Sequence, residues 1–575
     1  MELSPDKPLA GILAPLFAIR AEHDLGAGDT ECLRQFADWA ADAGFGLVQL
    51  LPVNEMGSDN SPYNAISSVA IEPATLFLSP KTVPGLTAVA LKRITKRERN
   101  KTGDGPVNWA RLRKLIGASL ESAFRNFFTN QIRGNSAQAK KFEAFESREA
   151  AWLDGYALFR ALMDTHHTEC WDRWPEEVRT LAVARDWLAA QPLKKRRAVE
   201  KRVRFFKYVQ WVAFTQWRAL KAHCDARGVA LMGDVPVGVS YYSADVWSQP
   251  ELFDLNWSGG APPEPYFKDD AFVVKWGQNW GVPLYRWEAM RTDNFAWWRQ
   301  RVGKVREFFH LFRIDHVLGF YRIYGFPWRP ERNTEFLPLT HDEARLRTGG
   351  ELPRYVPRDD SSQENKDANC GDGEERLRAL SEVVGEHRLI AEDLGAVPDY
   401  VRPSLASLGI PGFKIPMWER EWDGRLTPGG DYPRLSVATY ATHDHESLRA
   451  LWENWTRESR AGNQQALDEL WRLCDFAGLR VALPCDWSDA IHEALLGGLF
   501  RSNSWLAVCM ITDLLGGTQR FNVPGAVGEN NWTSRLPHTV GALRADPALR
   551  EKMERISAIL RETGRARDSL RVSIA

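Results

Sequence analysis

The sequence predicts an α/β fold in which helices alternate with parallel strands. Three short apolar runs each end on an acidic residue among polar partners, in the segments 312–316, 389–393 and 438–445. A continuous apolar run is typical of a parallel strand that is covered on both faces, and (β/α)8 barrels carry their catalytic groups at the C-terminal ends of such strands. The three acids therefore favour a parallel sheet with an enzyme site at its carboxyl edge.

Alternation of helix and strand supports this fold class along the chain. Apolar residues at helical spacing predict helices over residues 29–43, 206–227 and 295–309. Gly44 and Gly228 follow the first two of these helices as natural C-terminal stops. Further short apolar runs predict strands over residues 11–19, 47–53, 229–232, 412–418 and 506–512. Repeated units of this kind favour either a parallel barrel or a doubly wound sheet.

Two segments interrupt the pattern within what we predict to be a single catalytic domain over residues 1–575. Residues 81–204 are helical in pattern and rich in charge, which predicts an inserted helical subdomain whose basic runs are solvated helix faces. Residues 358–375 are polar and acidic with almost no apolar side chains, which predicts a mobile surface stretch inside an inserted loop region over 325–385.

Composition bears on which macromolecular partners and which compartment to expect. The 74 basic and 75 acidic residues give a formal net charge of -1, so charge gives no reason to expect nucleic acid or an anionic membrane as a partner. The seven cysteines are scattered without a C-x-x-C pair, which predicts reduced thiols and a cytoplasmic protein. We expect no signal peptide and no membrane-spanning segment, because no long apolar run is present.

Other common enzyme classes lack their motifs. Neither G-x-G-x-x-G nor G-x-x-x-x-G-K-[ST] follows a strand, so a nucleotide cofactor is not supported. No G-x-S-x-G elbow supports a serine esterase. The 24 tryptophans exceed the usual proportion, and indole rings suit both core packing and the apolar face of a sugar ring.

Asp315 and Glu392 have the identities and strand-end positions that glycosidic bond chemistry needs. That chemistry uses two carboxyl groups, which lie about 5 to 5.5 Å apart in a retaining enzyme, one as nucleophile and one as proton donor. Arg313 precedes Asp315 by two residues, so it lies on the same strand face and would hold Asp315 ionised. By the same alternation Asp393 points away from Glu392.

Asp444 is a third acid in this pattern. It is free to bind sugar hydroxyls and to stabilise the positive charge of an oxocarbenium-like transition state. His443 precedes it and is expected to act as a neutral hydrogen-bond donor.

Ordered motifs over nearly the whole chain resemble those of the 4-α-glucanotransferases called amylomaltase or disproportionating enzyme, relatives of the α-amylases. The motifs are Asp24-Leu25-Gly26, Leu51-Pro52-Val53, Ser61-Pro62-Tyr63, Gly233-Asp234-Val235-Pro236-Val237, Asp245-Val246-Trp247, Gly260-Ala261-Pro262-Pro263 before Tyr266-Phe267, Trp280-Gly281-Val282-Pro283-Leu284-Tyr285-Arg286-Trp287, Arg313-Ile314-Asp315-His316, Ala391-Glu392-Asp393-Leu394-Gly395, Leu408-Gly409-Ile410-Pro411-Gly412, Thr442-His443-Asp444 and Asn531-Trp532. This resemblance implies a (β/α)8 TIM barrel with inserted helical subdomains.

The resemblance also implies roles for individual residues. Asp315 would be the nucleophile, Glu392 the acid/base and Asp444 the stabiliser of the transition state. Six further residues would bind the substrate: Tyr63, Asp234, Trp280, Arg313, His316 and His443. Trp257 is another candidate for a sugar subsite, with a core role equally open.

The implied activity is transfer of α-1,4-glucan segments from a maltodextrin donor to the 4-hydroxyl of glucose or of another maltodextrin, by a retaining double displacement. It needs no cofactor and no metal, and its partners would be maltooligosaccharides and glucans derived from starch or glycogen. A hydrolase that uses water as acceptor would carry the same residues. The residues also leave open a glucan-binding protein without catalysis and a metal-dependent barrel hydrolase, whose ligands would be His443, Asp444, His445, Asp315 and His316.

The sequence departs from the family pattern at two places beside the expected cleft. His445 follows the third acid where the family usually has Asn, and Val317-Leu318 stand where it usually has an aromatic residue and Arg. Acceptor preference and pH dependence therefore do not follow from the resemblance alone.

Overall fold

A computed structural model of the chain describes residues 1–96, 105–132, 134–264, 270–524 and 531–567. The strands in these ranges are β1 Leu9–Leu13, β2 Leu47–Gln49, β3 Ala230–Pro236, β4 Phe253–Ala261, β5 Gln278–Tyr285, β6 Leu311–Asp315, β7 Ile323–Phe326, β8 Arg354–Val356, β9 Leu389–Ala391, β10 Gly412–Lys414, β11 Ser436–Ala438 and β12 Leu506–Met510. Eight of them close a parallel barrel in the order β1-β12-β11-β10-β9-β6-β3-β2. The predicted (β/α)8 fold is confirmed.

All eight barrel strands overlap apolar runs of the sequence. Every residue of β3 and β12 is buried, because helices cover the outside of the barrel and side chains fill its interior. The remaining four strands form a separate antiparallel sheet in the order β5-β4-β7-β8. Since β4 and β5 follow β3, and β7 and β8 follow β6, this sheet grows from the carboxyl end of the barrel.

Helices surround the barrel and fill its insertions. The first ten in the described chain are α1 Thr30–Asp42, α2 Ala88–Lys96, α3 Trp109–Phe127, α4 Ala137–His166, α5 Leu181–Ala190, α6 Leu193–Arg227, α7 Ala244–Ser248, α8 Ala271–Trp276, α9 Trp287–Arg291 and α10 Ala296–Val305. The next ten are α11 Asn333–Phe336, α12 His341–Arg347, α13 Gln363–Val384, α14 Val401–Ser407, α15 Leu448–Arg460, α16 Gln464–Ala477, α17 Asp489–Phe500, α18 Ile511–Leu515, α19 Val540–Ala545 and α20 Pro547–Glu562. Among the described residues, no helix is long and apolar enough to cross a membrane.

Local chemistry sets the ends of the predicted helices. The Asp29 carboxylate accepts hydrogen bonds from the N–H groups of Glu31 and Cys32 and so caps α1. Gly228 ends α6 with a left-handed φ of 65°, which glycine adopts without steric cost. The helix α6 continues through the boundary at residue 204 predicted for the inserted helical segment, and both sides of that boundary contribute to one hydrophobic core.

Residues 358–375, which the sequence predicts to be a mobile surface stretch, are helical from residue 363 onward, where α13 begins. Ser362 caps this helix, and the residues Asn369, Gly373 and Arg376 are buried. Arg376 donates a hydrogen bond of 2.5 Å from Nη1 to the carbonyl oxygen of Phe320. The helix packs through small and polar side chains, so the apolar periodicity that reveals most packed helices is missing from its first half.

Candidate active site

Asp315 and Glu392 lie level with each other at the carboxyl ends of two adjacent strands. Ile314 of β6 pairs in register with Ala391 of β9, so the next residue on each strand is one of the two acids. The Glu392 N–H also donates to the Ile314 carbonyl oxygen at 3.0 Å. The register of β6 and β9 in the barrel therefore makes the two acids neighbours.

Arg313 joins two of the predicted site carboxylates. Its Nη1 lies 2.6 Å from Asp234 Oδ2, and its Nη2 lies 2.7 Å from Asp315 Oδ1. Burial alone would lower the pKa of Arg313, but the carboxylates of Asp234 and Asp315 hold that pKa well above its ordinary value. Asp315 thus has a permanent positive partner, as the strand alternation predicted.

The environment of Glu392 differs from that of Asp315, because burial favours its neutral form. Its side chain is buried, and burial raises the pKa of Glu392 to about 8, with Arg313 opposing the rise and the negative charge of Asp315 adding to it. Glu392 Oε2 accepts from the His316 N–H at 2.7 Å, and Oε1 accepts from the Leu394 N–H at 3.1 Å. The group can hold a proton at neutral pH, and two backbone donors fix its direction.

His316 orients Glu392 through its backbone. Its φ of 50° places it in the left-handed region, which costs energy for a residue with a side chain and is typical of functional sites. Its ring lies 4.8 Å from that of Trp280 of β5, nearly perpendicular to it. Burial lowers the pKa of His316 to about 4, so the ring is neutral.

The loop that follows α18 holds Asp444 in place. Its Oδ1 accepts from Asn522 Nδ2 at 2.6 Å, and its backbone oxygen accepts from Arg520 Nη2. His443 Nε2 lies 3.3 Å from the same Oδ1. Burial acts to raise the pKa of Asp444, but His443 and the hydrogen bond from Asn522 hold it below its ordinary value. Asp444 is therefore ionised.

Tyr63 contacts both Asp234 and His443. Its hydroxyl donates to Asp234 Oδ2 at 2.7 Å, and its ring stacks on that of His443 at 5.1 Å with an interplanar angle of 13°. Trp532 lies 5.8 Å from Tyr63. Burial, with the charge of Asp315, raises the pKa of Asp234 to about 7, and burial lowers the pKa of His443.

The structure brings all nine predicted site residues into one cluster of direct contacts and adjacent strand ends. Asn522 and Arg520 were not predicted from the sequence, because they lie on a loop and follow no apolar run. The nearby Asn531-Trp532 motif was the available signal, because Asn531 pairs with the backbone of Val523 at 3.0 and 3.1 Å and so ties this loop together.

Trp257 lies outside this cluster. Its ring is covered by the Arg354 guanidinium at 4.8 Å, and it lines a separate cavity of about 590 Å³ beneath the antiparallel sheet. Tyr266 and Phe267, which belong to one of the family motifs, lie outside the described residues. Across the described ranges, no group of three or more His, Cys, Asp or Glu side chains is arranged to hold a metal ion.

The two departures from the family pattern have different surroundings. His445 Nδ1 contacts the hydroxyl of Thr442 at 2.8 Å, and its ring meets that of Trp418 at 5.2 Å. Val317 and Leu318 are buried, and the Val317 N–H donates to the Glu392 carbonyl oxygen at 3.1 Å. Both departures therefore touch the segments that carry catalytic candidates.

Comparison with known proteins shows to which family the chain belongs. Residues 14–539 match the family model described as 4-alpha-glucanotransferase. The 4-alpha-glucanotransferase of Chlamydia pneumoniae is 30% identical over 538 residues, which cover 92% of this chain and 91% of that protein. The 4-alpha-glucanotransferase of Thermus thermophilus is 30% identical over 522 residues, covering 88% of this chain and 90% of its own.

A solved structure shows the same fold. Amylomaltase from Streptococcus agalactiae in complex with acarbose superposes with a TM-score of 0.74 at 22% identity, over 98% of this chain and all of that chain. The match of the family model over most of the chain, together with the relatives at 30% identity, settles the family. The chain belongs to the 4-alpha-glucanotransferases.

Proposed function

We propose that Asp315, Glu392 and Asp444 carry out α-1,4-glucan transfer in this enzyme as nucleophile, acid/base and transition-state stabiliser. The observation that supports this most is the contrast between two neighbouring strand-end carboxyls. Asp315 is paired with the Arg313 guanidinium, whereas burial raises the pKa of Glu392 to about 8. Opposed environments of this kind separate a nucleophile from a proton donor.

In the first step, Glu392 gives its proton to the glycosidic oxygen as that oxygen leaves. An Asp315 oxygen attacks the anomeric carbon from the opposite face, and the carbon–oxygen bond to the leaving sugar breaks. The result is a β-linked glucosyl-enzyme ester and a shortened glucan with a free 4-hydroxyl. Glu392 is now ionised, and the N–H groups of His316 and Leu394 stabilise its charge.

In the second step, the 4-hydroxyl of an acceptor sugar attacks the same carbon while Glu392 takes the hydroxyl proton. The ester bond to Asp315 breaks, and an α-1,4 bond forms with overall retention. Asp444 faces both transition states as an ionised carboxylate, which stabilises the developing positive charge. Tyr63, Asp234, Arg313, His316, His443 and Trp280 are proposed to bind the sugars around the scissile bond.

The substrates in this proposal are maltooligosaccharides and glucans derived from starch or glycogen, with glucose or another maltodextrin as acceptor. The helical segment over residues 81–204 is proposed as a subdomain inserted into the catalytic barrel. A cytoplasmic location is part of the same proposal, supported by the seven cysteines, all of which are free thiols. Hydrolysis remains the competing outcome, because water can replace the acceptor hydroxyl.

Replacement of each acid tests these roles. We expect Asp315→Asn, Glu392→Gln and Asp444→Asn each to lower kcat for maltotriose transfer by about 10³-fold or more, with circular dichroism unchanged. Asp399→Asn is the control, because this exposed carboxylate pairs only with Lys366 at 3.0 Å among its described ion pairs. A slow substrate should also leave a glycosyl group on the peptide containing Asp315, measured by mass spectrometry. A rate near that of the native enzyme in any of the three would remove that residue from the mechanism.

A further inference from the structure

Two tryptophans protrude from the segment that follows β10. Trp418 is 52% exposed and Trp422 is 96% exposed. Indole rings usually bury a large apolar area, so two exposed tryptophans on one short segment form an apolar patch that is a candidate binding surface. We call residues 418–427 the tryptophan hairpin.

The hairpin holds its shape through its own backbone. The Thr427 N–H donates to the Glu419 carbonyl oxygen at 2.9 Å, and the Glu421 N–H donates to the Arg425 carbonyl oxygen at 2.9 Å. Leu426 is buried beneath these bonds. Trp422 therefore stands at the tip of an antiparallel turn, where its ring is presented to solvent.

A helix behind the hairpin fixes its position. Arg420 Nη2 lies 3.0 Å and 2.9 Å from the two carboxylate oxygens of Glu469 of α16. Both oxygens of one carboxylate are thus engaged by one guanidinium, which restricts orientation as well as distance. The ion pair thus ties the hairpin to α16.

The base of the hairpin reaches the catalytic cluster. The Trp418 ring lies 5.2 Å from that of His445, which directly follows Asp444. The hairpin also leaves β10, which lies between β9, the strand before Glu392, and β11, the strand before Asp444. An elongated ligand that leaves the cluster past Asp444 would meet Trp418 first and Trp422 next.

We propose that the tryptophan hairpin is a binding site for the α-glucan chain remote from the scissile bond, with Trp422 as its outer stacking platform. The apolar face of a pyranose suits the indole ring, and the charged groups of Asp423 and Arg425 beside the tip suit sugar hydroxyls. The proposal rests on the proposed function, because the cluster at its base is the proposed transfer site. Three residues separate the two tryptophans, and four steps of extended chain span at most about 13 Å, so only longer oligosaccharides reach from the base to the tip.

Chain-length preference tests the site. We expect Trp422→Ala to lower the ratio of kcat/KM for maltoheptaose to kcat/KM for maltotriose by about three- to ten-fold, through KM, as one lost stacking contact predicts. Trp422→Tyr keeps an aromatic platform and should restore most of the ratio. Leu346→Ala removes an 84% exposed side chain on α12 and should leave the ratio as it is. A ratio unaltered by Trp422→Ala, or altered equally by Leu346→Ala, would overturn the proposal.

A binding measurement separates this site from the catalytic proposal. Maltoheptaose is titrated by calorimetry into Glu392→Gln and into the same protein that also carries Trp422→Ala. Weaker binding in the second protein supports the site whether or not the native enzyme transfers glucan, and equal binding overturns it. Sedimentation velocity completes the test, since an oligomer that dissociates on Trp422→Ala would assign the platform to a second copy of the chain instead.

Discussion

At the scale of single residues, the proposed mechanism depends on which carboxyl group carries the proton. Asp315 and Glu392 lie at adjacent strand ends, yet of these two acids only Asp315 lies within ion-pair distance of Arg313 among the described contacts. One guanidinium in contact with one of the two acids gives the two neighbouring carboxyl groups different surroundings. The remaining burial then acts on Glu392 and favours its neutral form.

This difference predicts the alkaline side of the pH profile. Burial raises the pKa of Glu392 to about 8, and an acid donates its proton only below its pKa. We expect kcat/KM with maltotriose to hold up to about pH 7 and then to fall about tenfold per unit above about pH 8. Initial rates from about pH 5 to 10, with circular dichroism at each pH to exclude unfolding, measure this. A decline centred below about pH 6 would contradict the assignment of Glu392 as the acid.

Asn522 predicts a second effect at residue scale. Its Nδ2 is 2.6 Å from Asp444 Oδ1, and a hydrogen bond to a charged group contributes about 1.5 to 3 kcal/mol. Asn522→Ala should therefore lower kcat about 10- to 100-fold, because Asp444 loses the donor that directs it. Asn503→Ala is the control, since its Nδ2 donates to the Tyr432 carbonyl oxygen at 2.9 Å in another part of the fold. Equal kcat values for the two variants would show that Asn522 does not position Asp444.

At the scale of elements, helix α13 depends on a close approach of its backbone to the barrel. A Cβ added at Gly373 would lie 2.2 Å from the Tyr321 ring, whose hydroxyl contacts Ser404 at 3.0 Å. Gly373→Ala should lower the free energy of unfolding by about 1 to 3 kcal/mol, because the ring cannot move without losing this packing. Gly371→Ala on the same helix meets nothing within 4 Å and should raise it by about 1 kcal/mol. Thermal unfolding of the pair measures this, and equal shifts would contradict the close approach.

The same helix shows where prediction from sequence reaches its limit. Barrel strands such as β6 and β9 are predictable, because burial on both faces demands apolar runs. The acids at the ends of these runs indicate the carboxyl edge of the barrel. The helix α13 meets the barrel through Asn369, Gly373 and Arg376, which have no apolar period. The strand β4 is likewise rich in Gly and polar residues and contains register shifts, so the alternation typical of a strand is lost.

Some residues of the candidate site can be predicted from the sequence and others cannot. Asp315, Glu392 and Asp444 follow apolar runs in the sequence and can be predicted as strand-end or post-strand acids. Asn522 and Arg520 approach Asp444 from the loop that follows α18, and neither residue follows an apolar run. The parallel pairing of β12 with β11 in the folded barrel brings them together.

At the scale of the whole molecule, the barrel gathers groups from residue 63 to residue 522 into one cluster, and the acceptor that reaches this cluster decides between transfer and hydrolysis. Each transfer breaks one α-1,4 bond and forms another of nearly equal free energy. We therefore expect pure maltotriose to give glucose together with a ladder of longer maltodextrins, while the total of reducing ends stays almost constant.

Chromatography of the products over time, with a reducing-end assay on the same samples, measures both quantities. Asp315→Asn is the control for contaminating glucosidases, because it lacks the proposed nucleophile and should give neither glucose nor longer products. The physical reason for the expected ladder is that an acceptor sugar bound beside the three acids reaches the glucosyl-enzyme ester before water does. A steady rise in reducing ends with no product longer than maltotriose would show that water wins at this step, and it would leave Asp315 and Glu392 as the catalytic pair of a hydrolase.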